Sequence, residues 1–259
     1  IDLRTGEMKC HRQSAYCTMI TAETEDADGA TDIWQSFLDV ITCDNKELKD
    51  FLQMIIGMAL FGKVYHEGIV FAVGDGRNGK STFFNAVGAV LGDYTGYINI
   101  DVITTRGSND KASLATLRGK RMVIAGELEE GRRLSAATVK KLASTDPFQV
   151  EEKYKQPEII NPSHTLFLFT NHLPRVSSTD LGTWRRILNV PFNAVIEPKQ
   201  SVQNLGDILA KSASNAILAW AMEGARRFAD NEYHLVIPQC VKDATEEYRR
   251  RESQLENFI

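Results

Sequence analysis

The sequence lacks any apolar run near the roughly 20 residues that a membrane-spanning helix needs, and its N-terminus shows no basic segment followed by an apolar one. A membrane anchor and a secretory leader are therefore not expected, and a cytoplasmic setting is. Cysteine is scarce: Cys10, Cys17, Cys43 and Cys240 are scattered with no CxxC pair, which argues against a disulfide framework or a structural zinc site. Cys10, His11 and Cys17 match no common zinc spacing, so the cysteines read as free thiols. An excess of positive charge is also missing, since the formal net charge is −4. A nucleic-acid partner would have to be gripped by a local surface such as a loop or a pore. Internal repeats and low-complexity tracts are absent. What remains, 43% hydrophobic and 25% charged residues over 259 positions, is the composition of a globular protein with one main domain and appendages. The chain opens on Ile1 and stops inside SQLENFI, which reads as the start of a helix; a piece of a longer polypeptide is expected.

What is present most distinctly is GDGRNGKST, comprising Gly74, Asp75, Gly76, Arg77, Asn78, Gly79, Lys80, Ser81 and Thr82. Gly74, Gly79, Lys80 and Ser81 fall on the phosphate-loop pattern GxxxxGK[ST]. The glycines let successive backbone N–H groups turn inward onto phosphate oxygens, the lysine reaches the β- and γ-phosphates, and the hydroxyl sits on Mg²⁺. The flanks fit this reading. Residues 69–73 (IVFAV) suit a buried strand, and STFFNAVGAVL repeats apolar residues at helical spacing. Average composition yields such a match by chance in about one chain in a hundred of this length. ATP or GTP with Mg²⁺ is the expected ligand.

Residues 1–30 read as a strand and turn followed by the polar linker TAETEDADGATD. A small helical N-terminal subdomain is expected over 31–66. Trp34, Phe37, Leu38 and Ile41 mark its first helix; Leu48, Phe51, Leu52, Ile55 and Ile56 mark the second, opened by a capping-box-like Asp44 and Glu47. Both stripes read as core. The main domain spans 67–230, with apolar runs at 121–127, 164–171 and 186–192 and a long amphipathic helix over 205–228. Residues 231–259 hold the start of a C-terminal helical segment, with a helix beginning near Pro238. Strands alternating with helical stretches predict an α/β fold with a central parallel sheet flanked by helices.

An NTPase needs an acidic group at the end of a second buried strand, to hold the Mg²⁺ shell and polarise the attacking water. RMVIAGELEEG supplies Glu127 directly after the apolar run and Glu129 two residues on, both at the carboxyl end where ligands bind in open α/β sheets. Glu129 and Glu130 can equally be a solvated acidic turn. Asn171 ends the third run, where an amide can reach the attacking water or the γ-phosphate, although an Asn after a strand is usually a turn residue.

In this order the phosphate loop with Asn78 before its GK, GELEEG, TNHLP and GTWRRILNVPF resemble the superfamily 3 helicases, specifically the ATPase domain of phage, plasmid and poxvirus-type primase-helicases, over about Leu3 to Phe258. The resemblance implies an AAA+-like P-loop ATPase that assembles into hexameric rings and moves along single-stranded DNA, typically 3′ to 5′, with any primase domain upstream. It implies that Lys80 and Ser81 bind phosphate and Mg²⁺, that Glu127 and Glu129 form the acidic motif, and that Asn171 is the polar sensor. Arg185 and Arg186 match the segment that presents an arginine finger to a neighbouring subunit; which of the two does so stays open, as does a plain surface ion-pairing role. Residues 139–165 fit the stretch that builds a β-hairpin facing the ring channel. Lys153, Tyr154 and Lys155 lie near its turn, where lysines suit phosphates and an aromatic suits base stacking, and Lys140, which matches a lysine carried before it, is counted with them as DNA-binding. The chain departs from the pattern at Ser144, Thr145 and Asp146, where many members have GGD. Two other function classes remain open: a non-translocating, ATP-gated origin-binding module and a packaging ATPase.

Overall fold

Five short apolar segments pair in parallel to make the central sheet: β1 (Ile69–Val73), β2 (Thr95–Ile98), β3 (Met122–Ala125), β6 (Thr165–Thr170) and β7 (Ile187–Pro191), in the order β2-β3-β6-β1-β7. The computed structural model describes residues 1–5, 7, 9–10, 12–22, 31–105, 114–151, 154–177 and 180–256. Every strand leaves the sheet at the same edge, so the residues after Val73, Ala125, Thr170 and Pro191 share one rim. This is the α/β architecture of a P-loop NTPase.

Side chains alternate between the faces, as the period of two in a strand requires. Val70, Ala72, Met122, Ile124, Phe167, Leu188 and Val190 enter one core cluster, while Ile69, Phe71, Val123, Ala125, Leu166, Leu168 and Ile187 enter the other. The first face carries α1 (Thr31–Thr42), α2 (Lys46–Leu60), α3 (Lys80–Leu91), α6 (Leu205–Ser212) and α7 (Ser214–Asp230). The second carries α4 (Ala136–Leu142), the two-stranded antiparallel hairpin β4 (Phe148–Val150) and β5 (Glu158–Ile160), and Tyr248 of α8 (Gln239–Glu256). The helix foreseen near Pro238 is α8, whose Thr245 hydroxyl and Ala244 carbonyl bond the backbone N–H and side-chain amide of Asn189 on β7.

Two contacts fix α1 and α2 where the site needs them. Trp34 stacks on Phe83 of α3 at 5.8 Å and meets Trp220 of α7 edge-on at 5.3 Å, a geometry that aromatic quadrupoles favour. Gly57 of α2 crosses Gly224 of α7 so closely that a Cβ on Gly57 would lie 2.1 Å from the Ala225 nitrogen, and one on Gly224 2.1 Å from the Gln53 carbonyl oxygen.

Three local expectations are corrected. The helix over 205–228 is two helices, because Ala213 adopts φ −120°, ψ 13° between them. The cap of α2 is Asn45, whose side chain accepts from the Leu48 N–H; Asp44 sits one residue earlier, at φ 57° in the preceding turn. Residues 1–22, as far as they are described, form turns and a 3-10 turn at Gln13–Ala15, with no strand. Strand β2 has no counterpart among the expected elements. Most of the polar linker lies outside the described residues, and its last two residues, Thr31 and Asp32, open α1.

Candidate functional site

The loop after β1 turns back on itself through three positive φ values, Gly76 at 96°, Arg77 at 48° and Gly79 at 81°, an arrangement that points backbone N–H groups into one concavity. Gly79 is required twice over: its φ is left-handed, and a Cβ there would meet Ile41 of α1 at 2.4 Å. Helix α3 begins directly after it, so its unpaired N-terminal amides and dipole face the same space. The loop following β7 holds this turn in place: Asn78 Nδ2 donates to the Phe192 carbonyl (3.1 Å), and the Ile196 N–H to the Arg77 carbonyl (2.9 Å).

Lys80 is buried, and its ammonium is caged by oxygen. Nζ donates to the Gly74 carbonyl (2.6 Å), Asn78 Oδ1 (3.0 Å) and Asn171 Oδ1 (3.0 Å). Desolvation lowers its pKa, opposed by the carboxylates of Glu127 and Asp75. Asn171 thus joins the end of β6 to the loop after β1 across 91 residues of sequence. Thr170, fully buried, ties the exit of β3 to that of β6: its hydroxyl accepts from the Leu128 N–H (3.4 Å) and donates to the His172 carbonyl (2.9 Å). Asn78 and Thr170 as ties between strand ends were not foreseen; the NGK tripeptide and the TN dipeptide were their faint signal.

Asn78, Lys80, Glu127 and Asn171 line a cavity of about 510 Å³ with two unlike walls. Gly76, Arg77, Asn78, Gly79, Lys80, Ser81, Thr82, Glu127 and Asn171 form the polar wall. The opposite wall is apolar: Ile33, Phe37 and Val40 from α1, Val195, Ile196 and Val202 from the loop after β7, and Leu205. Helix α1 therefore carries a second stripe beside its core stripe, at i, i+4 and i+7, and Phe37 serves both. Gly74 supplies only its carbonyl, and Asp75 is exposed outside the cavity. Ser81 and Glu127 offer one hydroxyl and one carboxylate, a donor set that suits Mg²⁺ held largely by phosphate oxygens and water. Among the described residues no group of three or more His, Cys, Asp and Glu side chains forms a dedicated metal cage.

Comparison with known proteins accords with this geometry. A family model described as a family of unknown function (DUF5906) matches residues 72–186. A protein of Acanthamoeba polyphaga mimivirus named "Putative helicase L207/L206" is 24% identical over 234 residues, covering 83% of this chain and 24% of that protein. One of African swine fever virus named "Putative primase C962R" is 24% identical over 227 residues, covering 81% and 24%. By sequence the chain is similar to viral proteins named as a putative helicase and a putative primase. It spans about a quarter of the length of these curated relatives, 24% of each. Among solved structures, the apo C-terminal region of NrS-1 superposes with a TM-score of 0.64 at 12% identity, over 87% of this chain and 53% of that one, which establishes the shared fold.

Several motif residues lie apart from the cavity. Glu129 is 81% exposed on its side chain, pairs with Arg132 (3.2 Å), and lines a separate cavity with Thr104, Thr105 and Arg133. The chain turns after Leu128 buries its side chain, which carries Glu129 away from Lys80. The two arginines part company as well. Arg186 is buried, donating to Glu67 Oε2 (2.7 Å) and the Gly182 carbonyl (2.8 Å), whereas Arg185 is exposed. Lys140 donates to both Asp180 carboxylate oxygens, at 2.8 and 3.0 Å. At the hairpin turn, Tyr154 is 93% exposed with φ 67°, beside exposed Lys155. Lys153 lies outside the described residues.

Proposed function

We propose that this chain is the ATP-hydrolysing helicase portion of a phage or mobile-element primase-helicase, a ring-forming motor, hexameric by its resemblance, that moves on single-stranded and forked DNA with a primase domain upstream. The observation that carries the reading is the placement of Lys80, caged by Gly74, Asn78 and Asn171 in a cavity that Glu127 also lines. A cation at the N-terminus of a helix, an acid after another strand of the same sheet and an amide touching the cation are the parts that phosphoryl transfer to water needs.

The apolar wall takes the nucleoside, and the loop amides with Lys80 take the phosphates. Lys80 exchanges its three neutral acceptors for phosphate oxygens, and the carboxylate of Glu127 orients the attacking water and takes up its proton. Bound at Ser81, Mg²⁺ would neutralise charge developing on the transferred group. Asn171, released from Lys80, is free to contact the γ-phosphate or the water, so that β6 senses hydrolysis. The exposure of Arg185 and the burial of Arg186 favour Arg185 as the finger offered to an adjacent subunit. Tyr154 and Lys155 at the hairpin turn suit a single strand gripped by stacking and phosphate contact, and Lys153 is assigned the same role from the sequence alone.

Strand separation on a forked duplex tests this reading against an ATP-gated module that does not translocate. The parent chain is expected to separate the fork only with ATP and Mg²⁺, and Lys80→Ala to lose at least 100-fold in turnover, as removal of one transition-state donor does, with unchanged circular dichroism. A parent that hydrolyses ATP but leaves the fork intact supports the non-translocating module instead.

A further inference from the structure

Helix α5 (Leu181–Trp184), the single turn that delivers Arg185, is held from two sides by the segment that forms the base of the hairpin. On one side, Lys140 near the end of α4 grips Asp180 with both carboxylate oxygens at 2.8 and 3.0 Å. Asp180 is itself the N-cap of α5, accepting from the Thr183 N–H (3.1 Å) and hydroxyl (2.8 Å). The Lys140 ammonium, followed by the Thr183 bonds, holds the Asp180 carboxyl down to about 2. On the other side, Glu67 divides its oxygens. Oε2 accepts from Arg186 (2.7 Å), while Oε1 accepts from the Thr145 N–H and hydroxyl, both at 3.3 Å. Arg186 in turn donates to the Gly182 carbonyl inside α5. Residues 143–147 join α4 to β4, so both braces start at the stem of the hairpin and end on the turn beside Arg185.

We propose that Lys140, Asp180 and Glu67 are positioning residues that couple the β4–β5 hairpin to Arg185, so that a strand held at the hairpin tip resets the arginine offered to the neighbouring nucleotide. This rests on the proposed roles of the hairpin and Arg185. Lys140 then acts through Asp180 and not on DNA. Ion pairs that are partly exposed contribute little to stability; two of them converging on one four-residue turn restrict its orientation, which is what placing a guanidinium requires.

The test measures ATP turnover with and without single-stranded DNA, and DNA affinity across a salt titration, for the full chain and for Lys140→Gln, Lys140→Arg and Glu67→Gln. The expected result is that Lys140→Gln and Glu67→Gln each lower the ratio of DNA-stimulated to unstimulated turnover at least fivefold. The loss lies in kcat, with KM for ATP and Kd for DNA within twofold of the parent, and Lys140→Arg recovers at least half of the ratio. Should Lys140→Gln fail to fold, Asp180→Asn, which keeps an acceptor for the Thr183 amide, takes its place. An unchanged ratio in both variants overturns the coupling. So does weaker DNA binding by Lys140→Gln with a salt slope reduced by about 0.7, which marks a direct phosphate contact. A parent that hydrolyses ATP without stimulation by DNA overturns the coupling alone; a parent without hydrolysis overturns the proposed function itself.

Discussion

At the residue scale, the groups that matter are those whose surroundings make them unlike their free forms. Lys80 has exchanged water for three oxygen acceptors, and no sequence pattern states which acceptors those are. The phosphate-loop spacing identified the lysine; the cage needed Asn171 to arrive from the end of β6. His164 is a different case, a buried histidine with no role in the site. Burial pushes its pKa down from 6.5 to about 4, outweighing the nearby Leu142 carbonyl, and neither ring nitrogen has a partner of good hydrogen-bond geometry. The unfolded chain therefore binds more protons than the folded one between pH 6.5 and about 4. Stability from this group is complete above pH 6.5 and lost as pH falls toward 4, on the order of 3 kcal/mol across the window at about 1.4 kcal/mol per pH unit. Urea titrations between pH 7 and 5 are expected to show this fall, with a shallower slope in His164→Leu. An equal slope in that variant would assign the acid sensitivity to other groups.

At the element scale, apolar runs bounded by turn residues made β1, β3, β6 and β7 legible, because strands buried on both faces read as continuous hydrophobic stretches. Strand β2 escaped because Thr95–Ile98 is short and leaves Tyr97 exposed. The break at Ala213 escaped because no glycine or proline marks it, and the apolar spacing continues across it. The second stripe of α1, Ile33, Phe37 and Val40, was not recognised in the sequence, since Val195 to Leu205 complete the wall from about 160 residues away. The crossing of α2 and α7 depends on two glycines. Gly224→Ala places a Cβ against backbone that has no rotamer to change, and a cost of about 1–3 kcal/mol is expected for such overpacking. Asn45→Ala, removing the α2 cap, is expected to cost about 1 kcal/mol. Thermal melts check both, at about 3 °C per kcal/mol for a chain of this size; a Gly224→Ala melt at the parental midpoint would show that the crossing can relax.

At the scale of the whole molecule, parallel pairing gathers strand ends from the length of the chain onto one rim, which is why motifs at 74–82, 127 and 171 meet. Fold and order of motifs were readable because the phosphate loop, Glu127 and Asn171 each follow an apolar strand. The choice between Arg185 and Arg186 was not, because adjacent residues in the same motif differ only in which one the Glu67 carboxylate captures. If Arg185 acts on a neighbour's nucleotide, Arg185→Ala lowers hydrolysis in assembled protein with its melting midpoint preserved. Mixed with Lys80→Ala, it recovers part of the activity at interfaces where each subunit supplies what the other lacks. Arg186→Ala, which removes the ion pair to Glu67, instead lowers the midpoint. Mixed rings with no recovery would place Arg185 outside the neighbouring site.

The central claim is that the cavity between α1 and the phosphate loop hydrolyses ATP with Lys80 holding phosphate and Glu127 activating water. The measurement that bears on it most directly is ATP binding and ATP turnover side by side in the parent and in Glu127→Gln. Glutamine keeps the shape of the side chain but cannot accept the proton of the attacking water. The account predicts an ATP affinity within a few-fold of the parent together with a turnover reduced by about 100-fold or more, equivalent to about 2.7 kcal/mol in the barrier. Turnover at the parental rate with ATP bound as tightly would contradict it.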